Sequence, residues 1–141
     1  MKEVRTAING NASDALRIVR TEGQRAQVLG QQANYASARD IGVEVIDVWD
    51  AALDTRTRDS HGALDGKRAS YRSNGEPYWT FTTGDHAGSQ TAGPLRSGFA
   101  SEDIHCRCRI RGEIDEFKPE QRRIKGEIQK YQTYKEWKAT Q

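Results

Sequence analysis

Apolar and small residues recur every three or four positions in the first third of the chain, which is the spacing of one face of an α-helix. Ser13 and Asp14 are typical N-terminal capping residues, and Gly42 is a typical helix end. We therefore predict a long helix between these points. Its stripe shrinks from large to small side chains, so we expect the helix to pack unusually close to its partner. The members of this small-residue stripe are Leu16, Val19, Gly23, Ala26, Gly30, Ala33 and Ser37.

Alternating side chains from Val43 to Trp49 predict a β-strand. Both faces of this segment are partly apolar, so we expect it to be an inner strand. Residues 54–66 predict a short helix that stops at Asp65-Gly66. Two further strand-like segments follow at residues 78–81 and 104–110.

Residues 67–100 are rich in glycine, serine, threonine and asparagine, which is typical of loops. Beyond Pro119, spaced apolar residues predict an amphipathic tail that is helical in pieces. The resulting prediction is an α+β fold. In it a long N-terminal helix packs on a small mixed or antiparallel sheet, with a long loop-rich excursion and a C-terminal amphipathic tail. A length of 141 residues suits one domain, which we expect to span residues 13–141 after a flexible start at residues 1–12.

Charge and cysteine usage narrow the class of protein. The 22 Lys and Arg residues against 20 Asp and Glu leave a net charge of +2, which argues against a strongly basic nucleic-acid binder. We expect no membrane partner, because no apolar run approaches the length of a membrane span. The opening residues are charged and lack the apolar segment of a secretory leader, so we expect synthesis in a reducing cytosol.

Both cysteines, Cys106 and Cys108, lie one residue apart in the segment Ile104-His-Cys-Arg-Cys-Arg109. In a strand they would point to the same face, roughly 6.5 to 7 Å apart. That spacing suits a shared metal ion or a buried pocket better than a disulfide. A tetrahedral zinc site needs further ligands, for which His61 and Asp103 are the candidates. The alternative is a buried pair of small apolar thiols.

An ordered series of short motifs runs through the chain. The series is Arg20-Thr-Glu22, Trp49, Asp54-x-Arg56-x-Arg58-x-x-His61-x-x-Leu64-Asp65-Gly66, Pro94, Cys106-Arg-Cys108 and the closing Tyr131-Gln-Thr-Tyr134-Lys-Glu-Trp137. This order resembles the phage head morphogenesis family, the minor head proteins similar to Mu protein F and SPP1 protein 7. The resemblance spans about residues 14 to 138.

The resemblance implies a structural role without established catalysis. It implies a low-copy component of the virion, made in the cytoplasm of the bacterial host, that enters the procapsid near the portal. Its expected partners are the portal and the capsid or scaffold proteins. Its expected tasks are head assembly and DNA packaging or ejection.

The resemblance also bears on the candidate zinc site. Some relatives have cysteines at the positions of Arg58 and His61 and a histidine at the position of Asp103, a set that looks like a zinc site. This chain keeps only His61 with Cys106 and Cys108, so the site is depleted and any zinc is expected to be structural. The alternative is a network of hydrogen bonds and ion pairs under the cysteine segment. Its predicted members are Arg20, Glu22, Asp54, Arg56, Arg58 and Asp65.

Two other functions compete with the head protein. A metal-dependent hydrolase or nuclease would use His61 as a base beside a metal, but no nucleophile–base pair or paired catalytic carboxylates can be identified. Non-specific DNA contact would use Arg107, Arg109 and Arg111, which on a strand share the face opposite the cysteines. We therefore predict a protein that is not an enzyme, with DNA contact as a secondary property.

Overall fold

The computed structural model describes residues 2–114 and 117–141. The elements in chain order are α1 (Lys2–Asp40), β1 (Val45–Asp50), α2 (Asp59–Gly62), β2 (Ser70–Tyr71), β3 (Pro77–Thr80), β4 (Gln90–Thr91), α3 (Ala100–Asp103), β5 (Arg109–Ile114), β6 (Gln121–Ile124), β7 (Glu127–Lys130) and α4 (Tyr134–Ala139). One long helix and small antiparallel sheets confirm the predicted α+β fold. Within the described residues, no helix combines the length and the apolar character needed to cross a membrane.

Helix α1 begins at Lys2, so the predicted helix start at Ser13 is wrong. The residues before Ser13 include no proline, and nothing in them interrupts the backbone hydrogen bonds of a helix. The end of the helix is as predicted. Gly42 has a φ of +92°, and its N–H donates to the carbonyl of Arg39 while the N–H of Val43 donates to that of Ala38, each at 3.0 Å. This is a Schellman motif. The domain bounds of 13–141 stay a prediction.

The small-residue stripe of α1 does not pack against the sheet, so this prediction is wrong. The side chains of Leu16 and Val19 are 54% and 66% exposed. A Cβ atom added at Gly23 or Gly30 would meet no atom within 4 Å. Ala26 is exposed as well. Close approach of a partner backbone therefore does not explain the small residues.

The buried face of α1 is a mixed polar and apolar one, centred on Val28, which is 1% exposed. Its polar members find partners on the covering loops. Gln32 donates to the carbonyl of Ala92 at 2.7 Å, and Arg25 donates to that of Leu95 at 2.7 Å. A pattern search for apolar residues misses such a face, because its polar side chains are satisfied by backbone carbonyls.

Strand β1 is an inner strand, as predicted. It pairs antiparallel with β5, from Val45 opposite Ile114 to Asp50 opposite Arg109. On its other edge the N–H of Trp49 donates to the carbonyl of Lys67 at 3.0 Å, and the N–H of Ala69 donates to that of Asp47 at 2.8 Å. Both edges of β1 are therefore hydrogen-bonded.

The predicted strand at residues 104–110 is wrong in its first part, because β5 begins only at Arg109. Helix α3 ends at Asp103, and His105 has a φ of +60°, so the chain turns before it can pair. The cysteine segment, defined here as residues 104–108, is a loop that leads into β5.

The loop-rich excursion contributes a small sheet, β2-β3-β4, which includes the predicted strand-like residues 78–80. Its aromatic side chains enter the core around Trp49. The ring of Trp49 meets those of Trp79 and Phe81 edge to face, with centroids 5.6 and 6.5 Å apart. The core cluster comprises Val28, Trp49, Ala51, Leu64, Trp79, Phe81, Leu95, Cys106, Cys108 and Ile110.

The C-terminal tail is a β-hairpin followed by a short helix, whereas the sequence predicts helical pieces. Strands β6 and β7 are joined by Lys125 and Gly126, whose φ angles of +49° and +87° suit a two-residue hairpin turn. Helix α4 starts in a capping box made by Thr133 and Glu136. The tail is anchored by a second buried cluster of Leu53, Ile124, Tyr134 and Trp137.

Candidate metal centre

Three potential metal ligands converge in the core. The Nδ1 atom of His61 lies 3.5 Å from Sγ of Cys106 and 3.4 Å from Sγ of Cys108, and one ligand atom from each residue lies within 4.8 Å of the others. The edges of a tetrahedral zinc site with nitrogen and sulfur ligands are about 3.3 to 3.8 Å long, given zinc bonds of about 2.0 to 2.3 Å. The three donors are therefore close enough to bind a metal ion.

Two separate elements bring these donors together. Helix α2 carries His61, and the cysteine segment carries the thiols. Both thiols contact Nδ1 of His61, so Cys106 and Cys108 point the same way, as predicted, although the segment is not a strand. His105 is exposed and does not belong to the cluster. All three donors are buried, at 2% exposure for His61, 4% for Cys106 and 2% for Cys108.

The other ring nitrogen of His61 is held by Glu102, which lies on α3. Nε2 is 2.8 Å from the Oε2 atom of Glu102, which also accepts a hydrogen bond from the hydroxyl of Ser60 at 2.9 Å. With the proton on Nε2, facing the carboxylate, Nδ1 would have its lone pair free to bind a metal ion beside the two sulfurs. This is the support that metal-binding histidines generally have.

Asp103, the fourth predicted ligand, is not brought to this cluster. Its carboxylate accepts hydrogen bonds from the hydroxyl of Ser97 at 2.7 Å and from the N–H groups of Ser97 and Gly98 at 3.2 and 3.1 Å. Adjacent residues of a helical turn point about 100° apart, so α3 can direct only one of its two acidic residues at His61. That residue is Glu102. The sequence offered no signal to choose between the two neighbours.

The pKa values of the two thiols shift in opposite directions. A hydrogen bond from Cys108, together with His61, lowers the pKa of the Cys106 thiol to about 5. The same hydrogen bond and deep burial raise the pKa of Cys108 well above its usual value. The indole N–H of Trp49 acts in the opposite direction on Cys108 and lowers its pKa. The thiolate is the form that binds metals, and the lowered pKa of Cys106 favours that form.

Part of the predicted polar network lies beside the cluster. The carboxylate of Asp54 pairs with both terminal nitrogens of Arg107, one of them at 2.7 Å, and accepts the N–H of Arg56 at 2.8 Å. Arg107 is the largest cause that lowers the pKa of Asp54 to about 2. The guanidinium of Arg58 donates to the carbonyl of Ile104. The loop before α2 is thus tied to the cysteine segment at two points.

Asp65 forms a buried ion pair with Arg122, a pairing that the sequence did not predict. Its oxygens each accept one hydrogen bond from Arg122 at 2.8 Å. The N–H groups of Ala51 and Tyr134 also donate to Asp65 at 2.8 Å. The side chain of Asp65 is fully buried, and that of Arg122 is 8% exposed. This pair joins α2, the hairpin and α4.

The remaining predicted residues lie apart from this network. Glu22 pairs with Arg25 on its own helix, and Arg20 is exposed. Of the three arginines predicted to contact DNA, Arg107 is engaged by Asp54, and Arg111 donates to Glu113 at 2.8 Å. Arg109 is exposed. DNA contact by this row stays a prediction, with Arg109 as its accessible member.

Comparisons with known proteins extend over most of the chain. The family described as Phage Mu protein F like protein matches residues 1–111. The NAD(+)–arginine ADP-ribosyltransferase EFV of Enterococcus faecalis (strain ATCC 700802 / V583) is 35% identical over 127 residues, which are 89% of this chain and 24% of that protein. The Minor head protein GP7 of Bacillus phage SPP1 is 35% identical over 123 residues, 84% of this chain and 37% of that protein. The chain thus spans about a quarter and just over a third of these two relatives. No solved structure gives a significant match.

Proposed function

The chain belongs to the family of phage Mu protein F like proteins, and on this basis we propose that it is a minor head protein of a tailed bacteriophage. We propose that it enters the procapsid in low copy near the portal, contacts the portal and the capsid or scaffold proteins, and acts in head assembly and DNA packaging or ejection. The observation that carries the proposal is the match to the minor head protein of phage SPP1 across 84% of this chain.

Quantitative mass spectrometry of purified procapsids tests this proposal. We expect the protein in every preparation at a copy number comparable to that of the portal and far below that of the major capsid protein. Particles assembled without portal are the matched control, and they should lose the protein if it enters beside the portal. Absence of the protein from both procapsids and mature heads would overturn the proposal.

The proposed role involves no catalysis by the buried cluster. Both ring nitrogens of His61 are engaged, one by Glu102 and one by the two thiols, so the ring has no free position for use as a base. All three donors are at most 4% exposed, which leaves a substrate little access to an ion bound between them. The relative named as an ADP-ribosyltransferase is matched over 24% of its length, and we do not propose its printed activity for this chain.

A hydrolase centred on His61, Cys106 and Cys108 is the alternative, and it can be tested directly. We expect the zinc-supplemented protein to leave linear DNA and chromogenic phosphate and acyl esters intact. Hydrolysis that disappears in His61→Ala, while a correctly folded His86→Ala control retains it, would favour the enzyme.

We propose that the cluster binds one structural zinc ion. His61, Cys106 and Cys108 supply nitrogen and sulfur ligands of the kinds that zinc prefers, and Glu102 would orient the imidazole. A bound ion would crosslink α2 to the cysteine segment and so stabilise the core around Trp49. Nothing in this proposal requires the ion to take part in a reaction.

A further inference from the structure

A second concave site lies between the middle of α1, the loop before α2 and the cysteine segment. It is an open cavity of about 760 Å³. Its lining includes Arg20, Thr21, Arg56, Arg58 and Arg107, together with Cys106 of the metal cluster. We call this site the arginine cavity.

Four arginines and no carboxylate residue line the arginine cavity. Arg107 is neutralised by Asp54, and Arg58 donates to a backbone carbonyl. Arg56 lies near enough to Asp54 to contribute to the lowered pKa of that carboxyl, but the nearest partner of this carboxylate is Arg107. Several guanidinium groups therefore border one cavity, and a bound anion would relieve their mutual repulsion.

Thr21 gives an independent indication of a ligand. Its side chain is 8% exposed, and its hydroxyl finds no hydrogen-bond partner among the described residues. A buried hydroxyl without a partner is unfavourable, so native proteins rarely keep one unless something else satisfies it. Thr21 lines the arginine cavity and also a neighbouring cavity beside α3, and in this inference an anion in the arginine cavity supplies the missing acceptor.

We propose that the arginine cavity binds a phosphate group, with Arg20 and Arg56 as its charged donors and Thr21 as its neutral donor. Guanidinium groups present paired N–H donors that match the oxygens of phosphate, and the hydroxyl adds a third direction of approach. The phosphate is either free or part of a nucleic-acid backbone, since both offer the same oxygens. This inference does not rest on the head-protein function and stands or falls separately.

Isothermal titration of the purified chain with inorganic phosphate, and fluorescence anisotropy with a short labelled DNA duplex, test the proposal. We expect Arg20→Gln/Arg56→Gln to weaken binding by about tenfold or more, because each charge-assisted hydrogen bond contributes at that level. Thr21→Val keeps the shape of the side chain and should weaken binding severalfold. Arg123→Gln removes an exposed arginine outside the cavity and should leave affinity within about twofold, as expected for the loss of one distant charge.

The outcomes separate the two sources of phosphate. Binding of inorganic phosphate that is lost in the double variant supports a site for free phosphate, and binding of the duplex alone with the same loss supports the nucleic-acid backbone. Unchanged urea midpoints of the variants show that the fold is intact. The proposal is overturned if neither probe binds, if the double variant binds as well as the wild type, or if a polyglutamate peptide binds as tightly as the phosphate probes and is lost in the same variants.

Discussion

Asp65→Asn removes the charge from the most deeply buried ion pair of the protein while keeping the shape of the side chain. The carboxylate accepts four hydrogen bonds of 2.8 Å, two from Arg122 and one each from the N–H groups of Ala51 and Tyr134. An asparagine has one acceptor oxygen, and its amide nitrogen would face donors. Arg122, with 8% of its side chain exposed, would keep a charge that has lost its fully buried partner.

Breaking such a pair from one side costs about 3 to 5 kcal/mol, mostly because the remaining charge stays desolvated. The pair of Arg122 with Asp50 at 2.9 Å offsets part of this loss, so we expect about 3 kcal/mol. With a urea m-value of about 2 kcal/mol per molar, the unfolding midpoint should fall by about 1.5 M. Urea melts followed by tryptophan fluorescence measure this shift.

Asp59→Asn is the matched control. Asp59 pairs with Lys138 at 2.6 Å, but both side chains are largely exposed, at 78% and 55%. Exposed pairs contribute little, so we expect no resolvable change of midpoint. If the two variants unfold at the same urea concentration, the inference that Asp65 joins α2, the hairpin and α4 is refuted.

Three further predictions follow from the packing and the charges. Ala26→Leu should change the free energy of unfolding by less than about 0.5 kcal/mol because Ala26 is exposed, whereas Val28→Ala on the buried face of α1 should cost about 1 to 3 kcal/mol. A large loss of stability in urea melts of Ala26→Leu would show that the small-residue stripe is a packed surface after all. Gly62→Ala should destabilise the protein although alanine favours helices, because a Cβ atom at position 62 would clash with the ring of Tyr134. An unchanged thermal midpoint would contradict that contact. The pKa of Asp54 is lowered from 3.8 to about 2, so the contribution of its carboxylate to stability is complete above about pH 4 and is lost as the pH falls towards 2. The difference in urea midpoint between the wild type and Asp54→Asn should therefore shrink over that range. A difference that stays constant would show that the pair with Arg107 does not form.

Local features of the chain were predictable where one residue decides the structure. Gly42 ends α1 because only its backbone readily adopts the required φ, and the alternation from Val43 to Trp49 predicts the inner strand. The convergence of His61 with Cys106 and Cys108 was also anticipated from residue types and spacing. These signals are local, or they depend on chemistry that few residues can supply.

Features that depend on distant partners were not predictable. The buried face of α1 includes Gln32 and Arg25, whose burial depends on carbonyls of a loop some sixty to seventy positions away in sequence. Glu102 and Asp103 are neighbours of the same type, and only the rotation of α3 selects Glu102 for His61. The ion pair of Arg122 with Asp65 was not predicted because the two residues lie far apart in sequence, on different parts of the fold. Each of these choices is made by tertiary contacts.

The central claim about the buried cluster is that it holds a structural zinc ion. Elemental analysis of protein purified without chelator, combined with thermal melts before and after chelation, tests it most directly. We expect one zinc ion per chain, a lower melting temperature after chelation, and loss of the ion in Cys108→Ser but not in the folded control Asp103→Asn. Zinc well below one equivalent, with a melting temperature that chelation does not change, would contradict the claim and leave the hydrogen bonds of His61 with the two thiols as the whole function of the cluster.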